Sequence, residues 1–267
     1  MLSSLNPYQL AFNDFIVGAG TNYVVESVDG LASLPPLRVQ DDNRGYIDGS
    51  YTGRDFYDGR TVTVQILTLG DSNHSAQYYY RLLQAAWVPQ QLGYPGSLGT
   101  FQFQTDAAAP LMLMYGRVRS NETVIDPEYT FGYIRSTFTL YFPDPRYYNT
   151  TLQTASVGAS AVAITNNGWA YTCPTITIAS PSSAFTISYY ENGGVAATTM
   201  VFTNVNTSKN IVIDLLQRTI TQNGTNSRNI LYSGNWIQVA PNKSGAVATT
   251  MDLTSGTMSV AWRDAYI

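Results

Sequence analysis

The clearest pattern in the chain is the run RTVTVQILTL, Arg60 to Leu69, where Val62, Val64 and Ile66 alternate with Thr61, Thr63 and Gln65. A period of two predicts a strand with one buried face. The Asp58-Gly59 pair just before it suits a tight turn, since glycine accepts positive φ. The stretch GSYTGRDFYDGRTVTVQI therefore predicts a hairpin: a strand over Tyr46–Thr52, a loop over Gly53–Gly59, then a long strand. A helical period is convincing once, in DSNHSAQYYYRLLQAAWVPQ. Tyr79, Leu82, Leu83, Ala86 and Trp87 fall at i, i+3, i+4, i+7 and i+8 and predict one apolar face. Asp71 or Ser72 is the expected cap, and Pro89 the expected stop. Further strands are predicted in GTFQFQ, PLMLMYGRVRS and YTFGYIRSTFTLYF. The last two flank the polar segment Asn121–Glu128 and predict a long hairpin reaching away from the body.

Beyond residue 150 the pattern becomes short strands punctuated by Gly, Asn and Ser: AFTISYY, NIVIDLL, RTITQNG, NILYS and MSVAWRD. Asn223-Gly224 is a hairpin signal. In the last strand Met258, Val260 and Trp262 are expected inward, and Ser259, Ala261 and Arg263 outward. Short alternating strands at this spacing predict a β-sandwich. Charge changes at the same place: residues 1–150 hold 14 acidic and nine basic groups, residues 151–267 four and five. The prolines of FPDPRYYN, Phe142 to Asn149, interrupt regular structure there. The expected class is mainly β, with an α+β domain carrying one helix over 1–150 and a β-sandwich over 151–267.

Composition narrows the function. With 44% hydrophobic residues a packed core is expected. Only 12% of residues are charged, against about 25% in average domains. Twelve of the 14 basic residues are Arg, only Lys209 and Lys243 are Lys, and there are 20 Tyr. Interfaces favour Tyr and Arg over Lys, so neighbours are expected to cover much of the surface; an Arg-rich codon bias gives the same composition. A net charge of −4 argues against a dedicated nucleic-acid binder. No run of 18 apolar residues suggests a membrane span. The opening MLSSLNPYQLAFNDFIVGAG has no basic region before Arg38, so a secretion signal is not expected. Cys173 is the single cysteine, which rules out an internal disulfide. The six Asn-x-Ser/Thr triplets are then expected to reflect composition.

Catalytic chemistry has little to build on. His74 is the only histidine; among polar residues at a helix start, a surface or capping role outweighs a triad. No GxSxG, HExxH or P-loop pattern occurs. In GAGTNY, Tyr23 stands where a dinucleotide loop needs its third glycine. DDNRGYIDG, Asp41 to Gly49, starts like a calcium loop, but Thr52 occupies the position of the bidentate carboxylate. Asp55, Asp58, Glu122 and Asp126 offer carboxylate pairs of the kind glycosidases use, as any acidic loops would. No cofactor or metal is implied. Aromatics in the second half, Trp169, Tyr171, Tyr189, Tyr190, Tyr232 and Trp236, offer a competing function, sugar stacking. Packing in the core is the commoner fate of such side chains.

With these patterns in view, the chain resembles the distal tail proteins, or minor tail proteins, of long-tailed bacteriophages. VDGLASLPPLRVQDDNRGYIDGSYTGRDFYDGRTVTVQI is similar to that family's opening hairpin, down to Gly59-Arg60 before a long strand. LLQAAWVPQ and LYFPDPRYYN resemble its later N-domain elements. TNNGWAYTCPTITI, Thr165 to Ile178, and the ending GTMSVAWRDAYI resemble a strand pair and the last strand of its second domain. VAPNKSG departs from the family by lacking a glycine after Pro241. The resemblance implies a split-barrel N-domain that closes into a ring, usually of six copies. It also implies an outer sandwich of galectin or carbohydrate-module type. Such a structural protein of the virion tail tip is made in the host cytoplasm. Its implied partners are itself, the tail tube protein and the tip or hub proteins, with DNA passing through the lumen without specific binding. No catalytic residue carries over. Arg54, Asp55, Asp58 and Arg60 are the expected subunit contacts on the first hairpin, because planar Arg suits carboxylates. Arg117, Arg119, Tyr129 and Tyr133 are those on the second. The alternative function is a carbohydrate-binding sandwich that recognises a host-surface glycan.

Overall fold

The computed structural model describes residues 2, 4–89, 98–106, 109–157, 162–179, 181–191, 196–242, 249–254 and 257–267. The chain divides into two units, Met1–Tyr147 with Ile267, and Tyr148–Tyr266.

Unit 1 is built on one antiparallel sheet. Its strands are β1 (Gln9–Phe12), β2 (Phe15–Gly18), β3 (Tyr23–Asp29), β4 (Leu37–Arg38), β5 (Asp42–Asn43), β6 (Ser50–Tyr51), β7 (Phe56–Tyr57), β8 (Arg60–Leu69), β9 (Gly99–Phe103), β10 (Met112–Thr123) and β11 (Tyr133–Phe142). A further short strand, β12 (Tyr147–Asn149), stands at the boundary. The main sheet runs β2-β1-β9-β10-β11-β8-β3. Its two edge strands approach each other, with the rings of Phe15 in β2 and Tyr23 in β3 5.2 Å apart, so the sheet curls around its core. Asn13 (φ 48°) and Asp14 (φ 68°) make the two-residue turn between β1 and β2, with positive φ at both central positions as that turn requires.

Alternation in β8 comes out as predicted: Val62, Val64, Ile66 and Thr68 are buried, Thr61 and Gln65 exposed. Helix α1 (Ala76–Ala86) closes one side of the core. Its buried line is Ala76, Tyr80 and Leu83, continued by Trp87, while Leu82 is exposed. Of the expected face, Tyr79, Leu83, Ala86 and Trp87 pack on the core and only Leu82 does not; the Trp87 indole lies against Phe12, Phe101 and Phe138 at centroid distances of 5.9, 6.5 and 5.3 Å. The cap is Ser75, which accepts from the Tyr78 amide, rather than Asp71 or Ser72. Asp71 instead builds the turn before the helix, accepting the Asn73 and His74 amides at 2.8 Å each.

Unit 2 is the expected sandwich. Its strands are β13 (Gln153–Val157), β14 (Val162–Ile164), β15 (Thr175–Ala179), β16 (Phe185–Tyr190), β17 (Ala196–Phe202), β18 (Ile211–Asp214), β19 (Thr219–Gln222), β20 (Thr225–Asn226), β21 (Leu231–Gly234), β22 (Thr249–Leu253), β23 (Thr257–Trp262) and β24 (Ala265–Tyr266). The sheets are β13-β23-β15-β18-β19-β20 and β14-β22-β16-β17-β21. Between them lies a core of Ile, Phe and Met side chains with Trp262, whose indole N–H donates to Thr165 O at 2.9 Å. Asn223 (φ 48°) and Gly224 (φ 81°) turn β19 into β20, as their sequence signals. Met258, Val260 and Trp262 face inward and Ser259 outward. The turn after Pro241-Asn242 lies outside the described residues.

The resemblance to TNNGWAYTCPTITI has a structural reason. Asn166 is fully buried; its amide nitrogen donates to Ala170 O and Val239 O, and its oxygen accepts from Gly168 N and Ala265 N. A Cβ on Gly168 would stand 1.8 Å from Ala265 O. Where the unit begins and ends, the Asn149 amide donates to Asp264 O at 3.0 Å, and the Arg263 guanidinium donates to Asn149 O and Thr150 O.

Candidate subunit interface

The first hairpin is longer than its alternation predicts, and its strands have different partners. β8 does not pair with residues 46–52; it lies between β3 and β11. Chain leaving β3 returns to β8 through two small nested ladders, β4 with β7 and β5 with β6. Residues 30–59 thus form an arm rooted on β3 and β8, with its tip at Arg44–Gly49. The Val28–Ile66 span taken from the resemblance covers it. The prolines at 35 and 36 and the turn residues after Asp41 break the period of two, which hid the outgoing half from the pattern.

Almost every arm residue is exposed, large apolar ones included: Leu34 73%, Val39 55%, Tyr46 104% and Ile47 73%. An isolated two-stranded ribbon is marginal in water, and apolar groups gathered on such a segment mark a surface that another chain covers. The arm's cations lie over its rings. Arg38 and Arg54 approach the Phe56 ring at 5.6 and 5.4 Å, and Arg44 stands 4.9 Å from that of Tyr51. Such contacts hold flat Arg–aromatic faces outward. Asp55 is exposed, and Asp58 uses one oxygen to accept the Gly59 amide at 2.8 Å. Asp41 accepts the Gly53 amide at 3.0 Å, so the calcium-like stretch is a structured ribbon end.

Arg60 corrects the expectation. It is 2% exposed and cannot meet another subunit as a surface side chain. Nε donates to Pro145 O at 3.1 Å, and Nη1 to the carbonyls of Gly30, Leu31 and Ser33. Burial lowers its pKa, an effect that Tyr147 opposes.

The second hairpin does not reach away from the body. β11 pairs with β8 along its whole length and with β10 on its other side, so both strands are sheet members. Arg117 is half-buried, and Arg119 lies over the Tyr141 ring at 3.5 Å. Tyr129 packs with Ala76, Tyr80 and Ile134. The connection holds a short helix, α2 (Pro127–Thr130), whose Asp126 cap accepts the Tyr129 amide. Arg135 pairs with Glu26 and Glu128 beneath it. Ile125, Phe131 and Tyr133 stay exposed there. Tyr133 and Phe131 line a hollow of about 670 Å³ with residues 69–76. His74 lies at its edge, stacked on Tyr78 at 4.1 Å. The Asp71 carboxylate is held below its ordinary range, first by the Tyr79 hydroxyl and then by the His74 and Asn73 amides. This hollow has a turn-building carboxylate and a stacked imidazole in place of a triad. Among the described residues no group of three or more His, Cys, Asp or Glu is placed to hold a metal.

In unit 2 the aromatics divide. Tyr189 is buried and its hydroxyl accepts the Ala240 amide at 2.8 Å. Trp169 and Tyr171 are 57% and 47% exposed, two apart in an extended segment, with Tyr266 edge-on to Trp169 at 4.8 Å. Tyr232 is also exposed, and Arg228 lies over the Trp236 ring at 5.5 Å.

The described residues thus give a curled sheet bearing helix α1 and an exposed arm in unit 1, and a two-sheet sandwich in unit 2. The family model of the siphovirus-type tail component, C-terminal domain, matches residues 167–266. Over 97% of its length the chain has the fold of the SPP1 Dit (gp 19.1) protein, described as a paradigm of hub adsorption apparatus in phages infecting Gram-positive hosts. The TM-score is 0.71 and the identity 16%, with 99% of that protein covered. A chain of the phage P2 baseplate in its activated conformation with calcium aligns at TM-score 0.50 and 9% identity, covering 96% of this chain and 97% of that one. The strontium form aligns at TM-score 0.50 and 10% identity with the same coverage. No curated protein matches the sequence. The resemblance to distal tail proteins is borne out, as is the mainly β class.

Proposed function

We propose that this protein forms a homo-oligomeric ring, six-fold by its resemblance, that joins a siphophage tail tube to the tip and receptor-binding complex. The observation that carries this reading is the arm, an exposed ribbon of Arg and large apolar side chains with little of its own unit to pack against. An arm on one copy that lies on the next makes a heterologous contact, which closes into a ring when the rotation fits. Arg54, Asp55 and Asp58 are its contact groups, with Tyr133 and the β10–β11 connection as a second patch. The tail-component family match and the Dit-like fold support a virion structural protein; by the family resemblance it is made in the host cytoplasm and carries no catalysis. Acidic groups of the first 150 residues, net −5, line the lumen, so DNA slides through without binding, since phosphate affinity comes from basic groups.

Native mass with negative-stain imaging, alone and with the tail tube protein, tests the reading. Six-fold rings are expected in at least one condition. A monomer in both overturns it, and a basic bore in a ring structure removes the lumen assignment. The second reading, glycan binding by unit 2, is supported by Trp169 and Tyr171. A glycan array at millimolar concentration that shows no ligand removes it.

A further inference from the structure

The arm is not a simple continuation of the β3–β8 ladder. The last pair on the sheet side is Asp29 with Thr63, and the first on the arm side is Leu37 with Tyr57. Between them, residues 30–36 and 58–62 share no ladder pairing. Gly30 turns the outgoing strand with φ 81°, and a Cβ there would stand 2.3 Å from Thr61 O. The Asp58 amide donates to Pro36 O at 2.8 Å on the arm side of the gap. On the sheet side the cross-link is a side chain. Arg60, on the returning strand, donates to the Gly30, Leu31 and Ser33 carbonyls of the outgoing strand, and through Nε to Pro145 after β11.

We infer that Arg60 is a positioning residue for assembly, which holds the arm in one direction by replacing the missing ladder with hydrogen bonds to three outgoing carbonyls. The inference rests on the ring reading for its purpose but not for its geometry. A buried cation whose acceptors are carbonyl dipoles is a costly way to fill a core position, since an unpaired buried charge is strongly disfavoured. A planar, multi-donor head has one property that an apolar side chain lacks: it fixes several backbone groups in a set orientation at once. Pro145 as the fourth acceptor anchors the same head to the end of β11, so the root is referenced to the body of the sheet. An arm held in one direction before it meets its neighbour avoids ordering costs at association.

The experiment is amide hydrogen exchange on the full chain as wild type, Arg60→Met and Arg60→Lys, with native mass on the same samples. Arg60→Met is expected to speed exchange of the Asp58 amide and of the Arg38 and Phe56 amides of the β4–β7 ladder by about tenfold or more, while β8 and β11 amides at 61–68 and 134–141 stay within about twofold. Arg60→Lys keeps the charge and part of the bonding and is expected to fall between. Rings, where the wild type forms them, should need a higher protein concentration in both variants. Arm amides that exchange at the wild-type rate in both variants overturn the inference. So does parallel loss of arm and sheet protection in both, since Arg60 is then only a fold residue. If wild type forms no rings under any condition, the ring reading fails while the exchange result still decides the role of Arg60.

Discussion

Thr68 is fully buried on β8, and its hydroxyl finds no acceptor among the described residues. An unpaired buried hydroxyl costs about 1–3 kcal/mol, whereas an apolar group of the same shape costs nothing of this kind. Thr68→Val is therefore expected to raise the stability of unit 1 by about 1 kcal/mol, read as a higher urea midpoint at unchanged slope. Tyr23 shows the opposite case, a polar group with a partner. It is 7% exposed and its hydroxyl donates to Tyr79 O at 3.1 Å. Burial first, then Tyr79 and Tyr78, push its pKa up to about 12. A raised phenol favours the protonated folded state. Its contribution is complete below the ordinary tyrosine value of about 10 and is lost as pH rises through about 12. Between those values wild-type stability should fall more steeply than that of Tyr23→Phe, in chemical denaturation at stepped pH; equal slopes would refute this assignment. Thr68 continues the alternating run of β8, whereas Tyr23 opens a strand with no clean alternation; for both, hydroxyl partners depend on neighbouring elements that no local pattern names.

Elements were legible where one local rule dominates. β8, β11 and β23 follow alternation, and Asn223-Gly224 forms its turn because only such residues accept two positive φ values. The helix was legible as a helix and in most of its facing; Leu82 falls outside, while Ala76 and Tyr80, buried beside it, were not marked by the pattern. The arm was least legible from pattern: with no buried face there is no alternation to read, and its return strand looks like the start of β8. For the same reason Arg60 read as a surface contact, since a cation between Gly59 and an alternating strand gives no local sign of four carbonyls waiting around it. The candidates Arg54, Asp55 and Asp58 do lie on the arm; Tyr129 proved to be packed inside its own unit. An arm without a core role can be removed. Replacing residues 37–57 by a short Gly-Ser turn should leave the thermal midpoint of unit 1 within a few degrees and abolish rings in native mass spectrometry. Rings that persist would take the arm out of the interface.

At the scale of the molecule, each unit owns a hydrophobic cluster. Self-contained cores fold alone when their surface burial suffices. Residues 148–266 expressed alone are expected to give dispersed amide NMR spectra and one cooperative melting transition; a collapsed, undispersed spectrum would show that unit 2 borrows stability from unit 1. The division also bears on charge. A unit of net −5 and one of net +1, by the 1–150 and 151–267 split, should differ in salt response, with self-repulsion in the first relieved by screening.

The hydrogen bond from the Asn149 amide to Asp264 O has a consequence for how such proteins diversify. The first residues of the sandwich and the segment after its last long strand thus lie side by side. A segment whose two ends meet at one doorway is a cassette. It can be exchanged for another of different binding character without moving the scaffold that carries it, because domain insertion is tolerated where termini lie close together. Such an exchange would alter the second unit and leave the arm and its root as they are.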